Sequence, residues 1–293
     1  MKPERELHLR GTFAFGTNEI ERGQALLDVL CRVIRAMRLR VSLVKVVEEP
    51  GRRGQSQLLP WQFEALAGES HPHIIAPMSI GYVRALRILH RAFRHYPPSE
   101  RLHILIRFLT CPFTRTVDDV PRGARVLDIG SGHALYGVLL VDARAAEVVA
   151  VDPDVRKSLL PAPAPRIRKV AGYDDCVAGT FDAIVVYDAT YRMSLDVRRE
   201  LFERVLKRLK PGGVFLWKDM DPAHPLKMKW ARFQEWLSDR LLGISLGEGF
   251  LHQTREEVAA MLTEIGFVDL EARAIDRGYV HPHMLYTAKR PVS

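Results

Sequence analysis

Between Ala124 and Asp219 the chain alternates between two periods. Short runs rich in Val and Ile, ARVLDI (124–129), EVVAVD (147–152), RIRKV (166–170), FDAIVVYD (181–188) and GVFLWKD (213–219), predict strands. The stretches between them place apolar residues three and four apart, which predicts helices. The clearest is SLDVRRELFERVLKRL (194–209), stopped by Pro211-Gly212-Gly213. Strands alternating with helices imply crossover units and a parallel sheet. The near-continuously apolar AIVVY suits a strand covered on both faces.

The pattern changes on either side of this block. HPLKMKWARFQEWLSDRLLG (224–243) reads as an aromatic-rich helix. Thr254 with Glu257 three residues on forms a capping box, and Gly266 closes the helix it starts. FVDLEARAID and HMLYTAKR then predict a closing pair of strands, a hairpin. Residues 1–77 hold one helix at about 20–40 and a polar Gly/Arg/Gln patch at 51–57, so they read as a weakly integrated extension. A basic helical segment follows at 78–117, then the main domain at 118–293 with a helical lid at about 224–243. The fold expected is α/β: a doubly wound, mostly parallel seven-stranded sheet with a C-terminal antiparallel hairpin and an N-terminal helical extension.

Composition narrows the setting. In 293 residues, 47% hydrophobic and 27% charged is ordinary globular usage. Cys31, Cys111 and Cys176 are odd in number and far apart, so they form neither a disulfide framework nor a metal knuckle. A reducing cytoplasm fits that usage. The first sixteen residues are charged and lack the apolar core of a signal peptide, and no run reaches the ~20 apolar residues of a membrane span.

The net charge of +8 is local. Between Met78 and Val117 seven arginines face one acid, Glu100. Arg84, Arg87, Arg91 and Arg94 recur at helical spacing within 79–96, with Val83, Leu86, Leu89 and Phe93 as a neighbouring apolar face. That stripe is a solvated surface in one reading and a peripheral membrane contact in another. Nucleic acid is disfavoured, because no stacking-aromatic platform accompanies the charge.

Candidate chemistry lies in VLDIGSGHALYG (126–137). Gly130-Ser131-Gly132 follows a strand, as phosphate-cradling loops do, but the third glycine of a dinucleotide loop is missing and Asp128 adds a carboxylate. An acid there repels phosphate and suits an ammonium. Asp152, ending the second strand 24 residues later, can accept hydrogen bonds from ribose hydroxyls.

These residues resemble the class I S-adenosylmethionine-dependent methyltransferase family, whose fold is Rossmann-like. Asp128-x-Gly130-x-Gly132 is similar to its first motif and Asp152 to its ribose-binding acid. Tyr173-Asp174-Asp175 stands where its adenine-contacting acid does, Tyr187-Asp188 at its fourth-strand motif, and Leu209-Lys210-Pro211-Gly212-Gly213 at its turn before strand five. Ala134 replaces the usual last glycine, and PAPAP (161–165) cuts the second helix short. The resemblance covers 124–220 closely and 221–290 loosely. It implies S-adenosylmethionine as cofactor, held by Asp128, Ile129, Gly130, Ser131, Gly132, Asp152, Pro153, Tyr173, Asp174 and Asp188, with no metal.

The acceptor is narrowed by what is missing. Tyr187-Asp188-Ala189-Thr190 lacks the Asn/Asp-Pro-Pro-Tyr/Phe of base and glutamine N-methylation, and no Pro-Cys nucleophile stands there. A small-molecule or lipid-like acceptor remains, with RNA methylation and a non-catalytic scaffold as alternatives. Candidate bases are His133, Asp188, Tyr191, His224 and His283, with His252 and His281 nearby in sequence. Trp230, Phe233, Trp236, Leu237 and Leu241 would line the lid.

Overall fold

The computed structural model describes residues 80–191, 193–224, 227–229 and 252–292. The expected helix at 20–40, the patch at 51–57 and nearly all of the insert at 224–243, its five apolar lid residues included, lie outside them. The chain divides into two units, and every described residue belongs to the second, Ile75–Ser293.

Among the described residues two α-helices precede the sheet, α1 (Tyr82–Ala92) and α2 (Pro98–Thr110). Then come β1 (Arg125–Ile129), α3 (Leu135–Ala143), β2 (Glu147–Asp152), α4 (Val155–Leu159) and β3 (Ile167–Ala171). They are followed by β4 (Phe181–Tyr187), α5 (Leu195–Arg208), β5 (Leu209–Met220), α6 (Arg255–Ile265), β6 (Val268–Ala274) and β7 (His283–Lys289). The sheet order is β3-β2-β1-β4-β5-β7-β6. The first five strands are parallel, while β7 runs antiparallel between β5 and β6. The order reverses between β2 and β4 on either side of β1. At such a point the loops diverge and leave a crevice.

Local chemistry sets the boundaries. Asp154 caps α4 by accepting the Arg156 N–H, and the helix ends before the PAPAP tract. Ser194 caps α5. Thr254 and Glu257 form both bonds of the capping box on α6, which Gly266 ends in the left-handed region at φ 107°. Such a cap is worth about 1 kcal/mol. One boundary differs from the sequence pattern. Strand β5 starts at Leu209, so Pro211-Gly212-Gly213 lies within it, where the register on β4 shifts between Phe181 and Ala183. Gly213 is needed there, because a Cβ would stand 2.8 Å from the Lys210 carbonyl oxygen.

Side chains alternate between two cores, as the apolar strands require. On β1, Val126 packs with α1, α2 and α3, while Leu127 and Ile129 pack with α5 and α6. The basic segment 78–117 shares the first core: Ala85, Leu89, Phe93, Ile104 and Phe108 are all buried there. Leu89 and Phe93 thus face inward as expected, but Val83 is 61% exposed. Helix α1 is also tied to α3 by Arg84 and Asp142, 2.9 Å apart, leaving Arg87, Arg91 and Arg94 on the exposed face.

The segment before β1 reaches the far end of the chain as well. Arg115 donates to the carbonyls of Ile275 at 2.9 Å and Arg277 at 2.6 Å. The carbonyl of Thr110, the last residue of α2, bonds the His283 ring at 2.8 Å.

Candidate functional site

A cavity of about 580 Å³ opens at the carboxyl ends of β1, β2 and β4. Of the sequence-predicted residues it brings together Asp128 through His133, Asp152, Pro153, Tyr173, Asp174, Asp188 and Tyr191.

The glycine loop is shaped from within. The Gly130 and Ser131 amides donate to the Val151 carbonyl, and the Ala134 amide to that of Ser131. The Gly132 amide donates to Asp152 at 2.7 Å. Four loop amides are therefore spent internally, so an anionic group would have to use the first turn of α3 instead. Gly130 has φ +71°, and a Cβ on it would lie 2.4 Å from that of Ala189. Glycine here lets the loop after β1 touch the loop after β4. Ala134 sits in the left-handed region at φ 61°, ψ 34°, a conformation that costs a non-glycine residue roughly 1–2 kcal/mol.

Asp128 is 2% exposed, and its Oδ2 has no hydrogen-bond partner among the described residues. Burial, reinforced by the charge of Asp152, pushes its carboxyl up to about 7. An unpaired buried carboxyl oxygen is costly, and a cationic ligand group would satisfy it. Asp152 accepts from the Gly132 and Asp154 amides, at 2.7 and 2.8 Å. A carboxylate has about four acceptor positions, so it can still receive two hydroxyls. Asp174 is held bidentately by Arg204 of α5, at 2.9 and 3.1 Å, while Tyr173 is 64% exposed.

Asp188 stands differently. It follows β4 with φ 49°, and its carboxylate lies between Arg107, at 2.5 Å, and the fully buried Lys218. Burial pushes the carboxyl up, but the Lys218 and Arg107 charges outweigh it and hold Asp188 far below the usual range. A carboxylate so firmly ionised and doubly paired makes a poor proton acceptor, so Asp188 does not fit the role of base.

His133 lies against Glu100, Nε2 to Oε2 2.5 Å, and burial shifts its ring toward the neutral form while Glu100 opposes that shift. The other histidines expected from the sequence stand apart. His224 is exposed and lines no part of the cavity. His283 is buried, bonds Thr110, and is pushed down to about 2 by burial and then by Lys218, so it serves as a neutral structural bridge. His281 and His252 also lie off the cavity.

Sequence reasoning missed the wall that α2 contributes. His103 and Arg107 line the cavity from one helix face, and Glu100 reaches it through His133. Burial and then the neighbouring His133 push His103 down to about 4, so its ring is neutral at pH 7. The spacing 100, 103, 107 is a helical row, and that was the available signal. Among the described residues no His, Cys, Asp and Glu cluster has the makings of a metal site.

Residues 100–272 match a family model described as a methyltransferase domain. Among solved structures, the S-adenosylmethionine-dependent methyltransferase SibL in its apo form is 22% identical, with a TM-score of 0.51 over 74% of this chain and 71% of that one. The pyocyanin biosynthetic protein PhzM is 18% identical, with a TM-score of 0.50 over 68% of this chain and 61% of that one. A search of curated proteins finds no match.

Proposed function

The chain belongs to the methyltransferase-domain family, the class I S-adenosylmethionine-dependent methyltransferases, and on that premise we propose that it methylates a small-molecule or lipid-like acceptor in the cavity above β1 and β4. The observation that carries the reading is Asp128: a buried carboxyl oxygen without a partner, beside a Gly-x-Gly loop and a second strand-end acid.

The cofactor is S-adenosylmethionine, which when bound supplies a methyl group on a positively charged sulfur. Its residues would be the ones the sequence pattern singled out. Asp128 takes the ammonium and Asp152 the ribose hydroxyls. Ile129 and the Gly130-Ser131-Gly132 loop shape the floor. Pro153, Tyr173 and Asp174 stand on the adenine side, and Asp188 closes the β4 end of the site. The cavity volume lies within the range of sites for small ligands.

Catalysis here rests on positioning. Asp128, Asp152 and the β4 end hold two reactants on a fixed line. Where the acceptor must lose a proton, His133 backed by Glu100 and the neutral His103 are the groups placed to take it. Calorimetry with S-adenosylhomocysteine tests the reading, and no binding at millimolar concentration would refute it.

A second reading concerns location. Arg87 and Arg91 on α1 and Arg94 just past its end are all exposed, which supports a peripheral contact of residues 79–96 with an anionic membrane, each charge contributing about 1 kcal/mol near the surface. Among the described residues no helix is long and apolar enough to cross a membrane. Co-sedimentation with anionic but not neutral vesicles, lost at high salt, is the expected result. No sedimentation at low salt removes this reading and leaves a soluble acceptor.

A further inference from the structure

The charges at the end of β4 do not balance. Arg107 and Lys218 both pair with the single carboxylate of Asp188, 2.5 Å from Arg107 and in contact with the Lys218 ammonium. Among the described residues, the other titratable groups around them supply no second anion. Burial keeps the Cys111 thiol protonated, pushed up to about 11, and it lies 3.7 Å from Asp188. Burial, then Lys218, pushes His281 and His283 down to about 4 and about 2, so both are neutral at pH 7. His103, on the same helix face as Arg107, is neutral as well, pushed down by burial and then by His133. The cluster therefore holds one surplus positive charge.

That surplus has one outlet among these groups. Lys218 is fully buried and does not line this cavity, whereas Arg107 lines it with its side chain 37% exposed. A guanidinium carries five N–H donors in a rigid fork, and among the described residues Asp188 takes one of them. The rest are oriented by that bond and by the Phe113 ring, 5.9 Å from the guanidinium carbon. A charge lodged in a low-dielectric wall without a full counter-charge attracts an anion strongly.

We propose that Arg107 is the acceptor's anchor: the molecule methylated here presents an anionic oxygen group, a carboxylate or an ionised hydroxyl, to the donors of Arg107 that face the cavity. The inference rests on the methyltransferase reading and names the substrate class for that same site. An arginine fork binds such a group by paired, charge-assisted hydrogen bonds, a geometry that lysine cannot match. Asp188 then acts as a positioning residue that holds the fork in place.

The test uses the full chain, titrated by calorimetry with S-adenosylhomocysteine and then, free and loaded, with three ring compounds of one size: benzoate, 4-nitrophenolate and benzamide. Tighter binding of benzoate or of 4-nitrophenolate than of benzamide, by about tenfold or more, is expected, and which anion binds better separates carboxylate from ionised hydroxyl. Arg107→Met should erase the preference while S-adenosylhomocysteine affinity stays within about twofold, and Arg107→Lys, which preserves the charge should Met disturb folding, should retain part of it. Equal affinities for all three compounds, no saturable anion binding, or a preference that survives in Arg107→Met would overturn the proposal. Loss of S-adenosylhomocysteine binding alone would instead count against the methyltransferase reading, since the anion titration is also read on the free chain.

Discussion

Asp128 and Asp188 stand at the ends of neighbouring parallel strands, both nearly sealed from water, yet they are held in opposite states. Among the described residues the β1 end offers Asp128 no cation, and burial pushes its carboxyl up to about 7. The β4 end surrounds Asp188 with two cations and keeps it ionised. Burial sets the cost of a charge, and the neighbours decide whether that cost is met. One strand end is thus left short of a positive partner, and the next is left with one to spare. A cationic cofactor and an anionic acceptor complement that division.

The largest effect should come from breaking the satisfied side. Asp188→Asn leaves the fully buried Lys218 without its carboxylate partner and should cost about 3–5 kcal/mol in chemical denaturation. Asp128→Asn removes a buried acid that has no partner and should leave stability unchanged or raise it. Equal losses in the two variants would erase the contrast.

The pH dependence should separate the two acids by sign. The folded pKa of Asp128 is raised, so its favourable contribution is full below the unfolded value near 4 and is lost as pH rises toward about 7. The folded pKa of Asp188 is lowered, so its contribution is full above the unfolded value and is lost as pH falls below it. Stability curves of Asp128→Asn should lack the decline between about pH 4 and 7 that the parent shows, while keeping the loss at lower pH.

Ligand binding should sharpen the comparison next. Asp128→Asn should weaken S-adenosylhomocysteine by about 1.5–3 kcal/mol, the scale of a hydrogen bond to a charged group, and Asp152→Ala by about 1–3 kcal/mol. Affinity unchanged in both variants would remove the cofactor assignment at this end of the sheet. Ala134→Gly should do least. It relieves a left-handed alanine but uncovers the space of one buried methyl, so stability should shift by less than about 1 kcal/mol.

The division between the two strand ends was only half legible in the sequence. Strand and helix periods, the capping box at Thr254 and the acids at 128 and 152 are local patterns, and they describe the sheet and the floor of the cavity. The wall from α2 is not local. Glu100, His103 and Arg107 show as a helical row, but a row does not say which surface it faces until α2 packs on the core beside β1. Asp188 was legible as a strand-end acid and not as an ion-paired one, because Lys218 and Arg107 reach it from 30 and 81 residues away. Gly130 suggested a ligand-hugging turn, whereas its closest constraint is Ala189, from the loop after β4. Residue types in sequence report what a side chain can do, and tertiary pairing reports what it has left to do.

The contacts of Arg115 and Thr110 bear on the order in which the molecule is made. Both residues are synthesised before β1, yet their partners, Ile275, Arg277 and His283, lie 160 to 173 residues downstream. Closing such long loops is slow and comes late in folding. A chain emerging from its N-terminus can pair β1, β2 and β4 and assemble the floor around Asp128 and Asp152 well before the end of α2 is pinned by β7. The floor is therefore an early product of synthesis. The α2 wall with Arg107 reaches its final fit only after the last strand has threaded between β5 and β6, so on the roles proposed above the cofactor's floor would form before the acceptor's wall.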